Sequence, residues 1–332
     1  MAATIRDIRD RTGLSLATIS KYLNGGNVLP RNRELIEEAI DELDYEVNEL
    51  ARGLVTNRTK TIGVLVYDIQ CIFAGNMLHY LGQALHENRY GMLICDSCND
   101  AEIESKNLQF LLSRKVDGIL VFAVSLDGRF LEAAKKAEVP VVLIDRAFRN
   151  EEFDCIEIDN RTAMHRAASR LIGRGHRRVG IIASDIEYTG MERMKGFDDA
   201  LTDAGITIPD SYRVYGKHSF ELGYQGMREL LKLPEPPTAV ILSNYDTTLG
   251  GIMAVNESRF TCPGDISIIG FDDLLMSKVI RPKLWIIAQP MEEMSKKAVE
   301  LLLKRISHEE NGSPLRLSFS AGMREGESIR DL

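Results

Sequence analysis

Residues 4–24 read TIRDIRDRTGLSLATISKYLN and contain two short helical patterns joined by a glycine. In the first pattern, Ile5 and Ile8 fall on the same side of a helix. Thr4 is suited to cap the start of this helix through its hydroxyl, and Gly13 is suited to the left-handed turn that ends it. A helix that stops at a glycine and is followed at once by a second helix predicts a helical hairpin.

The second pattern begins at Ser15, whose side chain can satisfy the free backbone N–H groups of a helix start. Ile19 and Leu23 are four residues apart and therefore point into the same small core. The rest of the helix surface is formed by Leu16, Ala17, Thr18, Ser20, Lys21 and Tyr22. Early residues of such a helix can face a DNA major groove, so the segment has the outline of a helix-turn-helix. An ordinary helical hairpin that packs on a core is the alternative.

A third amphipathic segment spans residues 31–45, with Ile36, Ile40 and Leu43 at helical spacing. Pro30 precedes it, where the first turn of a helix tolerates proline. Three helices are enough to pack as a small headpiece.

The charges of this region change sign along the chain. Residues 1–33 carry six Lys/Arg and two Asp/Glu, whereas residues 34–49 carry eight acidic residues and no basic residue. We therefore expect a basic face that meets DNA and a separate acidic face that points away from it.

The composition predicts a larger body behind this headpiece. The chain has 332 residues, a net charge of −8 and 44% hydrophobic residues, which fits a substantial core. No apolar run reaches the length of a membrane span, and the first residues are polar, so we expect neither a membrane anchor nor a signal peptide. Five dispersed cysteines predict reduced thiols and a cytoplasmic location. Cys95 and Cys98 have CxxC spacing without a second pair, which favours two ordinary thiols over a zinc or redox site.

Motifs of the common enzyme classes are missing from the sequence. It has no Walker-type phosphate loop, no nucleophile-elbow serine and no histidine pair at metal-ligand spacing. We therefore expect no catalytic residue, no bound metal and no cofactor.

Beyond residue 60, short apolar strands alternate with amphipathic helices, which predicts βαβ units around parallel sheets. The predicted strands are TIGVLVYD at 61, GMLICD at 91, GILVFA at 118, PVVLID at 140, VGIIAS at 179, TAVILS at 238 and ISIIGFDD at 266. In such sheets, ligands bind beyond the carboxyl ends of the strands. The polar residues at these ends are Asp68, Asp96, Asp145, Arg146, Ser184, Asp185, Asn244, Asp272 and Asp273. They predict a ligand site, although loop caps and turns would explain several of them.

Residues 4–54 resemble the headpiece and linker of the lactose-repressor (LacI/GalR) family of bacterial transcription regulators, on the patterns SLATISKYLN at 15–24 and NELARGL at 48–54. The resemblance continues along the whole chain. It implies an α/β protein in which a three-helix helix-turn-helix headpiece precedes a two-lobed body of parallel sheets flanked by helices, similar to periplasmic sugar-binding proteins. The implied domains are the headpiece (1–46), the hinge helix and linker (47–60), and the effector-binding and dimerisation domain (61–332), with subdomain one at 61–159 and 290–318 and subdomain two at 160–289 and 319–332.

The resemblance also implies the DNA contacts. Base edges would be read by Leu16, Ala17 and Lys21, and the residues nearer the phosphates would be Thr4, Ser15, Thr18 and Asn24, with Ser20 on the same helix. Lys21 departs from the arginine usual in the family, so a bidentate contact to guanine would become a less forked one. Leu54 would occupy the place of the leucine that wedges into the minor groove, unless it is merely a buried linker residue. Val47 replaces a proline usual in the linker.

In the body, the resemblance implies an effector cleft lined by Phe73, Asp145, Arg146, Arg193, Asn244 and Asp272. Carboxylates and the forked guanidinium of an arginine would bind the hydroxyls of a sugar or nucleoside. With two arginines, the cleft could also bind an anionic effector such as a sugar phosphate. Arg193 could instead be a surface arginine of a helix. The chain departs from the family at residues 70–73, QCIF in place of Asn-Pro-Phe-Phe, and at Tyr245, where an aspartate is common. Trp285, the only tryptophan, could stack on a ligand or pack the joint between the lobes.

Together these expectations describe a cytoplasmic repressor, not an enzyme, whose affinity for DNA is controlled by a small effector. It would bind a near-palindromic, double-stranded operator as a homodimer and have no membrane partner. The alternative is a two-lobed small-molecule binding protein without a regulatory role on DNA.

Overall fold

The computed structural model describes residues 3–23, 25–45, 58–148, 153–272 and 279–332. The chain divides into two compact units. The first, which we call the headpiece unit, comprises Met1–Thr61 and Lys115–Asp117. The second, the body, comprises Ile62–Arg114 and Gly118–Leu332. No helix of the described residues is both long enough and apolar enough to cross a membrane.

The headpiece unit contains three helices: α1 (Ile5–Thr12), α2 (Leu16–Leu23) and α3 (Pro30–Leu43). Its core is formed by Ile8, Ile19 and Ile36, one fully buried residue from each helix, together with Ala39. Pro30 lies in the first turn of α3, as predicted. The apolar spacing in the sequence therefore corresponds to the packing that holds the three helices together.

Short local contacts fix the ends of α1 and α2. Gly13 ends α1 with a φ of 71°, the left-handed conformation expected of it. Ser15 Oγ accepts the backbone N–H of Thr18 at 3.2 Å and so caps α2. At the start of α1, the hydroxyl and the backbone N–H of Thr4 both donate to Asp7 Oδ2 at 2.7 Å. These caps set the turn between the two helices.

The expected separation of a basic face from an acidic face is wrong for two arginines. Arg11 Nε donates to Glu42 Oε2 at 2.6 Å, because α1 packs on α3. Arg33 and Glu37 are one turn apart on α3, and their side chains form an ion pair at 2.8 Å. The acidic helix therefore neutralises part of the basic charge of the headpiece instead of pointing away from it.

Lobe one of the body is a six-stranded sheet with the strand order β11-β5-β4-β3-β1-β2. Its elements are β1 (Thr61–Val66), α4 (Ile72–Glu87), β2 (Gly91–Asp96), α5 (Ala101–Ser113), β3 (Gly118–Val121), α6 (Glu132–Lys136), β4 (Val141–Ile144), β5 (Asp154–Ile158), α11 (Met291–Ile306) and β11 (Arg316–Phe319). The junctions from β1 through β3, β4 and β5 to β11 are all parallel. The central strands are buried along their length, as expected where helices cover both faces of a parallel sheet.

Lobe two is a second six-stranded sheet with the order β12-β10-β9-β8-β6-β7. Its elements are α7 (Asn160–Gly173), β6 (Val179–Ala183), α8 (Tyr188–Asp203), β7 (Arg213–Tyr215), α9 (Phe220–Lys232), β8 (Ala239–Leu242), α10 (Tyr245–Asn256), β9 (Ser267–Phe271), β10 (Trp285–Ala288) and β12 (Gly322–Arg324). The pairs from β7 through β6, β8 and β9 to β10 are parallel, and β12 closes the edge in the antiparallel direction. Within the described residues, the chain passes between the lobes three times, after β5, after β10 and after β11.

All seven predicted strands are present, and the structure has five further strands that were not predicted, β5, β7, β10, β11 and β12. β5 reads DCIEI, and its two acidic residues hide the apolar pattern of a strand. Both are buried because each meets an arginine: Asp154 pairs with Arg305 at 2.8 Å, and Glu157 with Arg316. β7 has only three residues, too few for an alternation to be recognised.

Candidate functional site

A cleft lies at the carboxyl ends of strands from both lobes, after β1 and β4 of lobe one and after β6, β8 and β9 of lobe two. Its cavity volume is about 310 Å³. The lining includes all six residues predicted to contact an effector: Phe73, Asp145, Arg146, Arg193, Asn244 and Asp272. Of the other polar residues predicted at strand ends, Asp68 also lines the cleft, whereas Asp96, Ser184 and Asp185 are not part of its lining and Asp273 lies outside the described residues.

Asp145 and Asp272 occupy equivalent places in the two lobes. Asp145 follows β4 with a φ of 69°, and Asp272 follows β9 with a φ of 67°. Each backbone N–H donates at 2.8 Å to the next strand, to Ile156 O and Ile287 O respectively. The two residues are 5% and 3% exposed. Aspartate tolerates this left-handed conformation better than most residues, and here it turns both carboxylates toward the cleft lining.

Arg193 of α8 interacts electrostatically with both of these carboxylates. It is buried, Nε donates to Asn160 Oδ1 at 2.7 Å, and one terminal nitrogen donates to Ser243 O at 2.6 Å. Its guanidinium carbon is 3.7 Å from the centre of the Phe271 ring. The guanidinium is thus held on three sides, so the alternative of a surface arginine is wrong.

Burial makes ionisation of both carboxylates costly. It raises the pKa of Asp145 even though the charges of Arg193 and Arg146 oppose the rise. Burial likewise raises the pKa of Asp272 to about 6, against the charge of Arg193 and a hydrogen bond from Gln289. That bond joins Gln289 Nε2 to Asp272 Oδ1 at 2.7 Å. Two desolvated carboxylates at one cavity are suited to bind hydrogen-bond donors.

Arg146 of lobe one reaches toward lobe two. Its guanidinium lies 4.4 Å from the centre of the Tyr67 ring, and one terminal nitrogen donates to Ala123 O at 2.9 Å. The other terminal nitrogen is 3.8 Å from the Glu187 carboxylate of lobe two. This contact spans the cleft, and both side chains are largely buried.

Glu187 and His218 were not predicted, although both line the cleft. His218 Nδ1 is 2.5 Å from Glu187 Oε2, and His218 Nε2 is 2.8 Å from Ser243 Oγ. Burial opposes ionisation of Glu187, but the hydrogen bond and charge of His218 and the charge of Arg146 outweigh it and lower its pKa. The order serine, histidine, carboxylate resembles a hydrolase triad, yet Ser243 is fully buried and its hydroxyl is not presented to the cleft. Neither residue directly follows a predicted strand, so the pattern of polar residues at strand ends does not indicate them.

The remaining predicted residues have supporting roles. Asn244 caps α10, with Oδ1 accepting the N–H of Thr247 at 2.9 Å, so the amide NH₂ is the group it can offer to a ligand. Phe73 is buried at the start of α4 and forms an apolar part of the lining. In the segment 70–73, which differs from the family pattern, the Cys71 thiol lies 3.2 Å from the Tyr67 hydroxyl. Burial raises the pKa of this thiol to about 11.

Trp285 does not have either of the two roles considered for it. It lies on β10 within lobe two and is not among the lining residues of the cleft. The guanidinium carbons of Arg170 and Arg174, both on or just after α7, lie 4.6 Å and 5.5 Å from its ring centre. The ring therefore packs under a helix of its own lobe through cation–π contacts.

A second contact between the lobes lies outside the cleft lining. Tyr188, the first residue of α8, donates its hydroxyl to Glu157 Oε2 of lobe one at 3.0 Å. Arg316 of β11 donates to both the Glu157 carboxylate and the Tyr188 hydroxyl. We call these three residues the inter-lobe cluster.

In the headpiece unit, the three residues predicted to read bases are exposed: Leu16, Ala17 and Lys21. Of the residues predicted nearer the phosphates, Thr4 and Ser15 are exposed, whereas Thr18 is half-buried, as is Ser20. Asn24 and Leu54 lie outside the described residues. In the described part of this unit, the three predicted base-reading side chains are therefore accessible.

Comparisons with known proteins identify the family. The periplasmic binding protein-like domain family matches residues 168–329. Catabolite control protein A of Priestia megaterium is 31% identical over 93% of this chain and 94% of that protein. The HTH-type transcriptional repressor PurR of Haemophilus influenzae (strain PittEE) is 31% identical over 93% of each chain. Among solved structures, the transcriptional regulator CelR–cellobiose complex is 28% identical with a TM-score of 0.75, covering 98% of this chain and 99% of that one. With its headpiece, its two-lobed body and relatives that match almost end to end, the chain belongs to the LacI family of transcription regulators.

Proposed function

We propose that the protein is a cytoplasmic repressor that binds a near-palindromic operator as a homodimer and whose affinity is set by a small effector, a sugar, nucleoside or sugar phosphate. The observation that carries this proposal is that one chain holds both a helix whose predicted base-reading side chains are exposed and a cleft lined by buried carboxylates and arginines. The relatives that match over most of the chain are transcription regulators. The similarity to these regulators supports a role in DNA binding.

The effector site of the proposal comprises Phe73, Asp145, Arg146, Arg193, Asn244 and Asp272. Buried carboxylates and a buried arginine at the ends of two sheets are the groups that orient a polar ligand in a shaped pocket. The CelR structure contains cellobiose, a neutral sugar, which supports a ligand of this class here.

The DNA site of the proposal uses α2 for sequence and its flanks for position. Leu16, Ala17 and Lys21 contact base edges in the major groove, since they are the exposed side chains of this helix. Phosphates are contacted by four polar residues, Thr4, Ser15, Thr18 and Asn24, and Ser20 lies on the same DNA-facing helix. Leu54 inserts at the operator centre, where the bend it produces offsets the cost of unstacking.

Communication between the two sites requires the lobes to move. We propose that subdomain one comprises residues 61–159 and 290–318, that subdomain two comprises 160–289 and 319–332, and that residues 47–60 link the headpiece at 1–46 to them. Closure of the cleft changes the relation of the two first subdomains in the dimer and hence whether paired linkers can dock on DNA. Effector and operator then alter each other's affinity by the same factor.

The test is a selection of random duplex DNA by the full-length protein, followed by binding to the enriched sequence over a salt series. We expect an inverted repeat, bound with an affinity that falls as salt rises. Replacing Lys21 with alanine should cost about 1–3 kcal/mol and relax the sequence at one position of each half-site. Lys136, an exposed lysine of lobe one, provides the matched alanine control. A pool without an inverted repeat would contradict the proposal.

A further inference from the structure

Three buried polar atoms of the cleft lining have no hydrogen-bond partner: Asp145 Oδ1, Arg146 Nε and Gln289 Oε1. Two of them are acceptors, and the third is a donor. Asp145, which contributes one of the acceptors, is 95% buried. Arg146, which contributes the donor, is the next residue in the sequence. Buried polar groups are normally paired, so these atoms define the chemistry that a ligand has to supply.

The arginines of the cleft are already occupied by the protein. Arg193 donates to Asn160 and Ser243, with one face against Phe271. Arg146 donates to Ala123 and approaches Glu187, with one face against Tyr67. An anionic ligand group would have to compete with these internal partners for both guanidinium groups.

The charges of the described lining residues also disfavour an anion. The acidic residues are Asp68, Asp145, Glu187, Asp246 and Asp272, whereas the lysines and arginines are Arg146, Arg193 and Lys217. Lys217 is exposed, so its charge is screened by solvent. Burial raises the pKa of Asp246, and the nearby charges of Asp68 and Glu187 add to the rise while that of His218 opposes it. The cleft therefore has an excess of carboxylates where a phosphate would enter.

We propose that the effector is an uncharged polyhydroxylated molecule, that Asp145, Arg146 and Gln289 select its hydroxyl groups, and that the cleft rejects the corresponding phosphate ester. A hydroxyl both donates and accepts hydrogen bonds, so the hydroxyl groups of one ligand can satisfy the unpaired acceptors as well as the unpaired donor. A phosphate or carboxylate at neutral pH only accepts and would leave both unpaired acceptors unsatisfied. An ammonium group only donates and would leave Arg146 Nε unsatisfied. This inference rests on the proposed function, because it concerns the effector of the same site.

The test measures matched pairs of ligands by titration calorimetry on the full-length protein. The uncharged probes are a panel of pentoses, hexoses and disaccharides that includes ribose, glucose and cellobiose, and the esters include ribose 5-phosphate and glucose 6-phosphate. We expect at least one uncharged probe to bind and its phosphate ester to bind at least about tenfold more weakly, since the ester adds like charge beside the carboxylates. An ester that binds as tightly as its parent sugar, or a panel in which no uncharged probe binds, overturns the inference.

A charge variant separates selection from general damage to the cleft. In Asp246→Asn, one acidic group is neutralised while Asp145, Arg146 and Gln289 are kept. We expect the ratio of sugar affinity to ester affinity to fall severalfold, a change that a purely structural defect would not produce. Asp203→Asn, at the exposed end of α8, is the matched control and should leave the ratio unchanged. An unchanged ratio in Asp246→Asn would contradict the electrostatic part of the inference.

The operator distinguishes this inference from the proposed function. If an uncharged sugar binds but leaves operator affinity unaltered, the proposed function fails and the inference about the ligand stands. If a phosphate ester is the compound that alters operator affinity, the inference fails and the proposed function stands.

Discussion

Replacement of Asp272 by asparagine should stabilise the ligand-free protein while it weakens the effector response. Asparagine keeps the shape of the side chain and can still accept the hydrogen bond from Gln289 Nε2. What it removes is a buried negative charge that lies near the second carboxylate, Asp145. The position is therefore expected to serve ligand binding at the expense of the stability of the empty cleft.

The size of the effect follows from the pKa of Asp272. Burial raises this pKa from 3.8 to about 6. A carboxyl group whose pKa is raised on folding contributes stability at low pH, and this contribution is lost as pH rises through the folded-state value. At about 1.4 kcal/mol per pH unit, the interval from 3.8 to about 6 corresponds to about 3 kcal/mol. The advantage of the asparagine variant should thus be near zero at pH 3.5 and reach about 3 kcal/mol above pH 7.

The assay is urea unfolding of the full-length protein, followed by the fluorescence of Trp285 at several pH values. Trp285 is the single tryptophan, and its strand β10 pairs in parallel with β9, the strand that Asp272 directly follows. Its emission therefore reports on unfolding of the lobe that contains the substitution. Asp210→Asn, at an exposed site of the same lobe, is the control and should change stability by less than about 0.5 kcal/mol.

Two results would refute this reasoning. One is an asparagine variant that is less stable than the parent protein at pH 7.5, which would mean that Arg193 and Gln289 more than offset the cost of burying the charge. The other is a stability difference that does not depend on pH between about 4 and 7, because ionisation of the Asp272 carboxyl group alone would produce a pH-dependent difference.

Three further substitutions test other parts of the account. Leu54→Ala should lower operator affinity in a gel-shift titration while calorimetry shows unchanged effector binding; equal operator affinity would remove the wedge from the mechanism. Tyr188→Phe breaks the inter-lobe cluster and lowers the population of the closed form, so effector binding should weaken up to about tenfold. The radius of gyration in X-ray scattering should increase. The control Tyr215→Phe, at an exposed position, should change neither quantity. An unchanged radius of gyration would argue against that role. Ser15→Ala removes the cap of α2 and should accelerate amide exchange in this helix by about fivefold, corresponding to about 1 kcal/mol; unaltered exchange would show that the cap is not needed.

The fold was largely predictable because its signals are local. Helix caps at Gly13 and Ser15 and apolar runs of four to six residues are written in consecutive positions, and the structure has an element at each of them. β5 was missed because its charged residues are paired with arginines far away in sequence, Arg305 and Arg316. Pairing at such a distance leaves no trace in the local pattern.

The site was predictable to the extent that it lies directly after strands. Asp145 and Asp272 were found in this way, because parallel sheets bind ligands at that edge. Glu187 and His218 come from loops, and only the packing of β6, β7 and β8 brings them to Ser243. Arg11 and Glu42 show the same limit in the headpiece, since counting charges along the chain cannot show which of them meet in space.

The central claim is that cleft and operator are coupled, and the most direct test compares two affinity ratios. One is the operator affinity of the full-length protein with and without saturating effector, and the other is its effector affinity with and without saturating operator. The account predicts that both ratios differ from one and are equal, because coupling between two sites is reciprocal. Ratios of one would contradict the account and leave a protein that binds DNA and a small molecule independently.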